Sequence, residues 1–341
     1  MRWGVLLAVS IVLAFAFWLT GLPAALLLGP MVAGILVSGN GGNLRVPRLP
    51  VFAAQTVVGC LVARAFTGDI VLRFAKDWPL FLGVVLAILA TSFALGWALA
   101  RYKVLPGTTA VWGIAPGGAS AMMLMAGAFG ADARLVAFMQ YLRVVLVAAA
   151  ASVVARLWMG APAHPVAATP WLTALASWDF VATVAIAGLG GALGHALRIP
   201  AGALLVPMLV GAVLEATGVV RIVLPDWLLA ISYAFLGWSI GLGFTREILR
   251  HAARALPAVL LAILVMMGVS GALAWLLVRV AGVDAMTAYL ATSPGGVDSV
   301  AIIGAASNVD LSFVMALQTL RVVIVLAFGP PLARLIAQRM R

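Results

Sequence analysis

A Pro-Gly-Gly triplet set in an apolar run occurs twice in this chain, at Pro116-Gly117-Gly118 and at Pro294-Gly295-Gly296. Proline removes a backbone donor and the glycines relax φ, so a helix entering either triplet breaks and resumes beyond it. The second copy reads Thr292-Ser293-Pro294-Gly295-Gly296-Val297-Asp298-Ser299, and the first carries Ser120 where the second has Asp298. Each copy is followed by an acid, Asp132 or Asp310, and then by Gln-x-x-Arg, Gln140 with Arg143 and Gln318 with Arg321. Every one of these pairs is separated by 178 positions, the pattern of an internal duplication.

The surroundings of the triplets decide the solvent. Hydrophobic residues make up 65% of the 341 and charged residues 9%, too little polar surface for a water-soluble globule. The formal net charge of +11 would suggest nucleic acid in a soluble protein, but the Lys and Arg residues fall mainly in short loops and at helix ends. Basic loops beside membrane spans carry topology and lipid contact, and no segment resembles a DNA-binding element, so lipid is an expected partner and nucleic acid is not. Cys60 is the single cysteine, and His164, His195 and His251 are scattered without metal-ligand spacing, so neither a metal nor a cofactor is expected and the chain does not read as an enzyme.

At roughly 20 apolar residues per span, the first half divides at about 3–20, 22–39, 50–66, 79–101, a broken segment at 107–129, and 134–157. The second half divides at about 180–197, 199–216, 226–245, 256–279, a broken segment at 285–307, and 311–338. The expected fold is an all-α polytopic membrane protein of two tandem homologous repeats, each of five to six transmembrane helices with one Pro-Gly-Gly-broken helix. The repeats occupy 1–157 and 180–341, with a Pro-rich linker at 158–179. Residues 1–20 resemble a signal peptide, but the matching run later in the chain argues for a retained span. Pro30 with Gly34 and Pro207 with Gly211 lie inside the second helix of each half, offset by 177, and small residues there point to close helix packing. The glycine-rich run from Ala187 to Gly194 suits packing within the chain or a homodimer contact. Mixed-charge residues Arg73, Lys76 and Asp77 suggest a solvated loop or an interfacial helix.

Inside a bilayer, broken backbone survives only where protein or a watery cavity satisfies it. Paired breaks in corresponding positions are the sequence pointer to a transporter site near the midplane. The candidate substrate- and ion-binding residues are Pro116, Gly117, Gly118, Ser120, Gln140 and Arg143 in the first half. In the second they are Ser293, Pro294, Gly295, Gly296, Asp298, Ser299, Gln318 and Arg321. Asp298 could bind a cation or exchange a proton, or could simply cap the resumed helix. A carboxylate at bilayer depth costs about 2.5–3.5 kcal/mol on insertion scales, which favours a functional reason for it. Gln and Arg three apart share a helix face; the arginines either hold an anion or cap carbonyls freed by the breaks. Ser120, Ser293 and Ser299 offer hydroxyls that equally well bond to their own backbone. Asp132 and Asp310 read as helix caps, and Gln55, early in its span, fits either a structural or a site role.

These residues resemble the AbrB-duplication family of bacterial inner-membrane proteins. The resemblance runs over roughly 3–157 and 180–338 and is most specific in Ser293-Pro294-Gly295-Gly296-Val297-Asp298-Ser299-Val300-Ala301-Ile302-Ile303. It implies kinship with cation/proton antiporters and anion transporters that build discontinuous helices at the substrate site. Members are named as transcriptional regulators or ammonia monooxygenases. An oxygenase needs metal, flavin or haem ligands, for which the sequence has no pattern. Relatives carry an acid where Ala121 and Ser299 stand here, whereas this chain has Asp298 one place earlier. The expected function is secondary transport of a small, anionic solute coupled to H⁺ or Na⁺; the alternative is a membrane sensor that influences gene expression indirectly.

Overall fold

A computed structural model describes residues 2–339 except 21, 23, 43, 65–67, 103–104, 106–107, 116–121, 123–125, 127–129, 160–176 and 200, with backbone alone at 68–77, 156–159, 326–327 and 329–339. The regular structure among the described residues is helical. In chain order the helices are α1 (Arg2–Leu19), α2 (Ala25–Gly39), α3 (Arg48–Ala63), α4 (Gly68–Arg101), α5 (Thr109–Ile114), α6 (Ala133–Met159) and α7 (Trp178–Ala196). They continue as α8 (Gly202–Ala216), α9 (Asp226–Gly241), α10 (Arg246–Ala252), α11 (Leu256–Ala281), α12 (Ala285–Thr292), α13 (Val297–Ala305) and α14 (Leu311–Arg339).

Five of the described helices are long and apolar enough to cross a bilayer: α1, α4 from Trp78 onward, α6 through Ala155, α7 and α11. The bent pair α9 and α10, meeting at 49°, passes the same test when taken together, and α2, α3, α8 and Leu311–Val325 are shorter apolar helices. Large apolar side chains face outward, Ile11, Val12 and Trp18 on α1 and Leu261, Leu264 and Trp275 on α11 among them, as lipid solvent requires. The charged stretch 73–77, expected as a loop or interfacial helix, continues the backbone helix of α4 from Gly68. The 158–179 linker lies largely outside the described residues.

Packing sorts the helices into two groups. Helices α1–α3 gather with α7–α9, and α4–α6 gather with α11–α14. Within the first group the partners are exchanged between the halves of the chain: α2 packs on α9, and α8 packs on α3. The close approach has a local cause. A Cβ on Gly59 of α3 would lie 2.4 Å from the Leu204 carbonyl oxygen and 3.3 Å from Pro207 of α8. A Cβ on Gly237 of α9 would lie 2.6 Å from the Leu27 carbonyl oxygen and 3.1 Å from Pro30 of α2. Only hydrogen fits at either crossing, so the glycines let the backbones touch. Both α2 and α8 start after an alanine held in the left-handed region, Ala24 at φ 57° and Ala201 at φ 54°. The run from Ala187 to Gly194 contributes to packing within the chain: Gly191 lies against Thr56 and Phe52, and Gly194 against Gly202.

Candidate functional site

Helix α12 stops at Thr292, Ser293 turns to an extended conformation (φ −57°, ψ 135°), and α13 starts after Gly296 (φ −73°, ψ 141°). Proline at 294 has no N–H with which to continue the helix, so carbonyls at the end of α12 lose their intrahelical donors. These orphans are met from α14. Gln318 donates through Nε2 to the Leu290 and Ser293 carbonyls at 2.9 and 3.1 Å. Arg321 donates through Nη1 to Ser293 at 2.6 Å and through Nη2 to Gly295 at 2.9 Å. One turn of α14 thus closes both edges of the break.

The glutamine bonds, and the arginine bond to the last carbonyl before the proline, recur 178 positions earlier. Gln140 of α6 donates to the Trp112 and Ala115 carbonyls at 2.9 and 3.0 Å. Arg143 donates through Nη1 to Ile114 and Ala115 at 3.0 and 2.9 Å, and its Nη2 bonds to Gln140 Oε1 at 2.7 Å. The residues that follow Ala115, including Pro116, Gly117, Gly118 and Ser120, lie outside the described residues. Threonines complete the correspondence, Thr109 accepting from the Asp132 N–H at 3.0 Å and Thr287 from the Asp310 N–H at 2.9 Å.

Gln140 and Gln318 are fully buried, and Arg143 and Arg321 are each 1% exposed. The ion pairs with both partners described, Arg134 with Glu247 and His251 with Asp132, lie elsewhere. A buried charge without a counter-charge costs several kcal/mol unless fixed dipoles answer it. The C-terminal carbonyls of α5 and α12 carry the partial negative end of each half-helix and point at the guanidiniums. The Nε atoms of both arginines lack partners among the described residues.

The second break packs against α6, the helix that carries Gln140 and Arg143. Gly295 lies where a Cβ would come 3.1 Å from Val147 of α6, and Gly296 where one would come 3.5 Å from Val144. Asp298 occupies the second position of α13, where its charge suits the helix N-terminus. Its Oδ2 accepts from Gln55 Nε2 of α3 at 3.1 Å. Gly296, Val297 and Asp298 are half-buried, between fully buried Gly295 and Ser299. The site serines bond locally, Ser293 Oγ to the Leu290 carbonyl at 2.9 Å and Ser299 Oγ to the Gly296 carbonyl at 3.0 Å.

Asp132 caps α6, accepting from the backbone N–H groups of Arg134 and Leu135, and its other oxygen lies 2.6 Å from His251 Nε2 of α10. Burial opposes ionisation of this carboxyl, but the bonds from His251, Leu135 and Arg134 outweigh it and hold the group below its usual 3.8. Asp310 caps α14 through the Phe313 N–H at 2.9 Å. The side chain that sequence reasoning left open is Gln55, whose only signal was an amide in an apolar run.

A family model described as "Transition state regulatory protein AbrB" matches residues 26–337. A protein of Escherichia coli (strain K12) named "Putative regulator AbrB" is 47% identical over 338 residues, covering 99% of this chain and 97% of that one. A Bacillus subtilis (strain 168) protein named "Uncharacterized protein YhjN" is 29% identical over 283 residues, covering 78% and 73%. The chain belongs to the AbrB family.

Proposed function

We propose that this protein is a secondary transporter of the bacterial inner membrane, built from two tandem repeats with a broken helix in each, and that it moves a small anionic solute coupled to an ion exchanged at Asp298. The observation that carries this reading is the placement of Asp298. A half-buried carboxylate at the start of a resumed half-helix, bonded to Gln55 from the other half of the chain, sits beside a break that packs on α6. The recurrence of the Gln-Arg bonds at an offset of 178 and the exchanged packing of α2 and α8 support a duplication. Corresponding breaks in two repeats are how transporters place irregular backbone at a central site. Two buried guanidiniums against one nearby carboxylate leave the region positive, which favours an anionic solute.

The route for the anion is set by what is already engaged. The terminal nitrogens of Arg143 and Arg321 hold carbonyls, so each arginine contributes charge and fixes the break, while the N-terminal end of α13 presents amides to the solute. Asp298 changes charge in the cycle and couples the solute to the gradient. No catalytic step is assigned to any residue. Reconstituted protein should accumulate an anionic solute in proteoliposomes under an imposed ion gradient, and Asp298→Asn should abolish accumulation while the protein still folds.

A second reading has the name of the Escherichia coli relative in its favour. As a membrane regulator the same site would bind a ligand without moving it, and act on gene expression through a partner protein. Saturable binding without flux, together with a co-purifying partner, would favour it.

A further inference from the structure

A discontinuous membrane helix that holds Na⁺ does so with its freed carbonyls and the C-terminal end of the half-helix. In this chain those oxygens already have donors. Arg321 occupies the Ser293 and Gly295 carbonyls, Gln318 the Leu290 carbonyl, Arg143 those of Ile114 and Ala115, and Gln140 that of Trp112. A guanidinium carries the same unit charge as Na⁺, keeps its proton in proteins and is tethered to its helix. What remains at the second break is the Asp298 carboxylate, with the Gln55 amide turned towards it as a donor. One carboxylate facing an N–H donor is a poor shell for a metal cation stripped of water, but one carboxylate is sufficient for a proton. No group of three or more His, Cys, Asp or Glu side chains gathers among the described residues.

We propose that Arg143 and Arg321 are resident cations standing where a transported metal cation would otherwise bind, so that the ion exchanged at Asp298 is a proton and not Na⁺. This rests on the reading of Asp298 as the ion site. The helices packed on α13 bring few other ionisable groups to it. Arg143 comes from α6 and Arg321 from α14, and the terminal nitrogens of both are engaged with carbonyls. Cys60 of α3 is directed at the Thr183 carbonyl of α7, Tyr141 of α6 packs on Phe244, and Tyr289 of α12 packs against the apolar core. Gln55 is the polar side chain that the structure places in a hydrogen bond with the Asp298 carboxylate.

The test is labelling of the full-length purified protein by dicyclohexylcarbodiimide, which reacts with protonated carboxyls in apolar surroundings, read by mass spectrometry. Labelling of Asp298 should fall as pH rises, should be lost in Asp298→Asn, and should be the same in sodium chloride as in choline chloride at equal ionic strength. Replacing Gln55 by Leu should move the fall about one to two pH units higher, since a hydrogen bond to a charged group contributes about 1.5–3 kcal/mol. Slower labelling in Na⁺ would overturn the proposal, and so would an Asp298 that reacts at no pH. The readout needs no solute. If the pH-dependent, Na⁺-indifferent labelling holds while no anion moves under any gradient, the transport reading falls and the proton site stands.

Discussion

Gln55 and Asp298 lie 243 positions apart in the chain and 3.1 Å apart in the fold. The bond joins α3, in the group formed by the first three helices of each half, to α13, in the group that contains the second break. A carboxylate at a helix start commonly bonds to nearby backbone amides; here the side chain meets an amide from another helix. Such a bond across two helix groups is sensitive both to protonation and to any movement of one group against the other. Gln55→Leu should therefore alter the pH dependence of the protein's activity with a smaller effect on its stability, measured as transport or binding rate against pH beside thermal unfolding in detergent.

Arg321 is the structural counterpart. Arg321→Met would leave the Ser293 and Gly295 carbonyls without their guanidinium donors in a buried region, at about 1–3 kcal/mol for each orphaned group. Arg321→Lys keeps the charge but cannot bridge two carbonyls with a planar fork, so it should recover only part of the loss. Thermal unfolding of the three proteins should rank wild type above Lys above Met. Equal stability of wild type and Met would show that the guanidinium does not hold the break.

The exchanged helix pairing predicts matched glycine effects. Gly59→Ala and Gly237→Ala should each destabilise by about 1–3 kcal/mol, because the new methyl meets a backbone carbonyl oxygen at 2.4 or 2.6 Å. Gly188→Ala, with nothing within 4 Å of the new Cβ, should be neutral or slightly stabilising. Unfolding midpoints of the three variants check the pattern.

Asp132 gives the acid-stability signature. Its carboxyl is held below 3.8 in the folded protein, chiefly by His251 and two backbone amides acting against burial. A depressed folded value means that the stabilisation is complete above about 3.8 and is lost as pH falls through the folded value. Unfolding midpoints of wild type and Asp132→Asn should differ at neutral pH and converge in acid. A constant gap down to strongly acid pH would contradict the assignment.

Much of this was legible locally. Apolar runs marked the helices, Pro294 and its glycines marked where α12 stops and α13 resumes, and the spacing of Gln318 and Arg321 put both on one face of α14. The two readings of the arginines could not be separated in sequence, because a guanidinium suits a carboxylate and a carbonyl alike; the geometry supplies carbonyls. Asp132 and Asp310 as caps were readable because capping is a bond over three residues. Gln55 was not, since its partner is contributed by a distant segment and nothing in its own stretch records that. The charges at 73–77 left a loop and an interfacial helix open, and the backbone is helical there as the start of α4; Lys and Arg are good helix formers. The first Pro-Gly-Gly lies outside the described residues, so its match to the second rests on the sequence and on the bonds at Trp112, Ile114 and Ala115.

The central claim is that Asp298 couples solute movement to a proton gradient. The direct measurement is uptake of a panel of small anions into proteoliposomes under an imposed pH gradient, wild type beside Asp298→Asn, with correct folding verified for both. The account predicts uptake that requires the pH gradient, is indifferent to Na⁺ and is lost in the variant. Gradient-driven uptake that survives Asp298→Asn would contradict it.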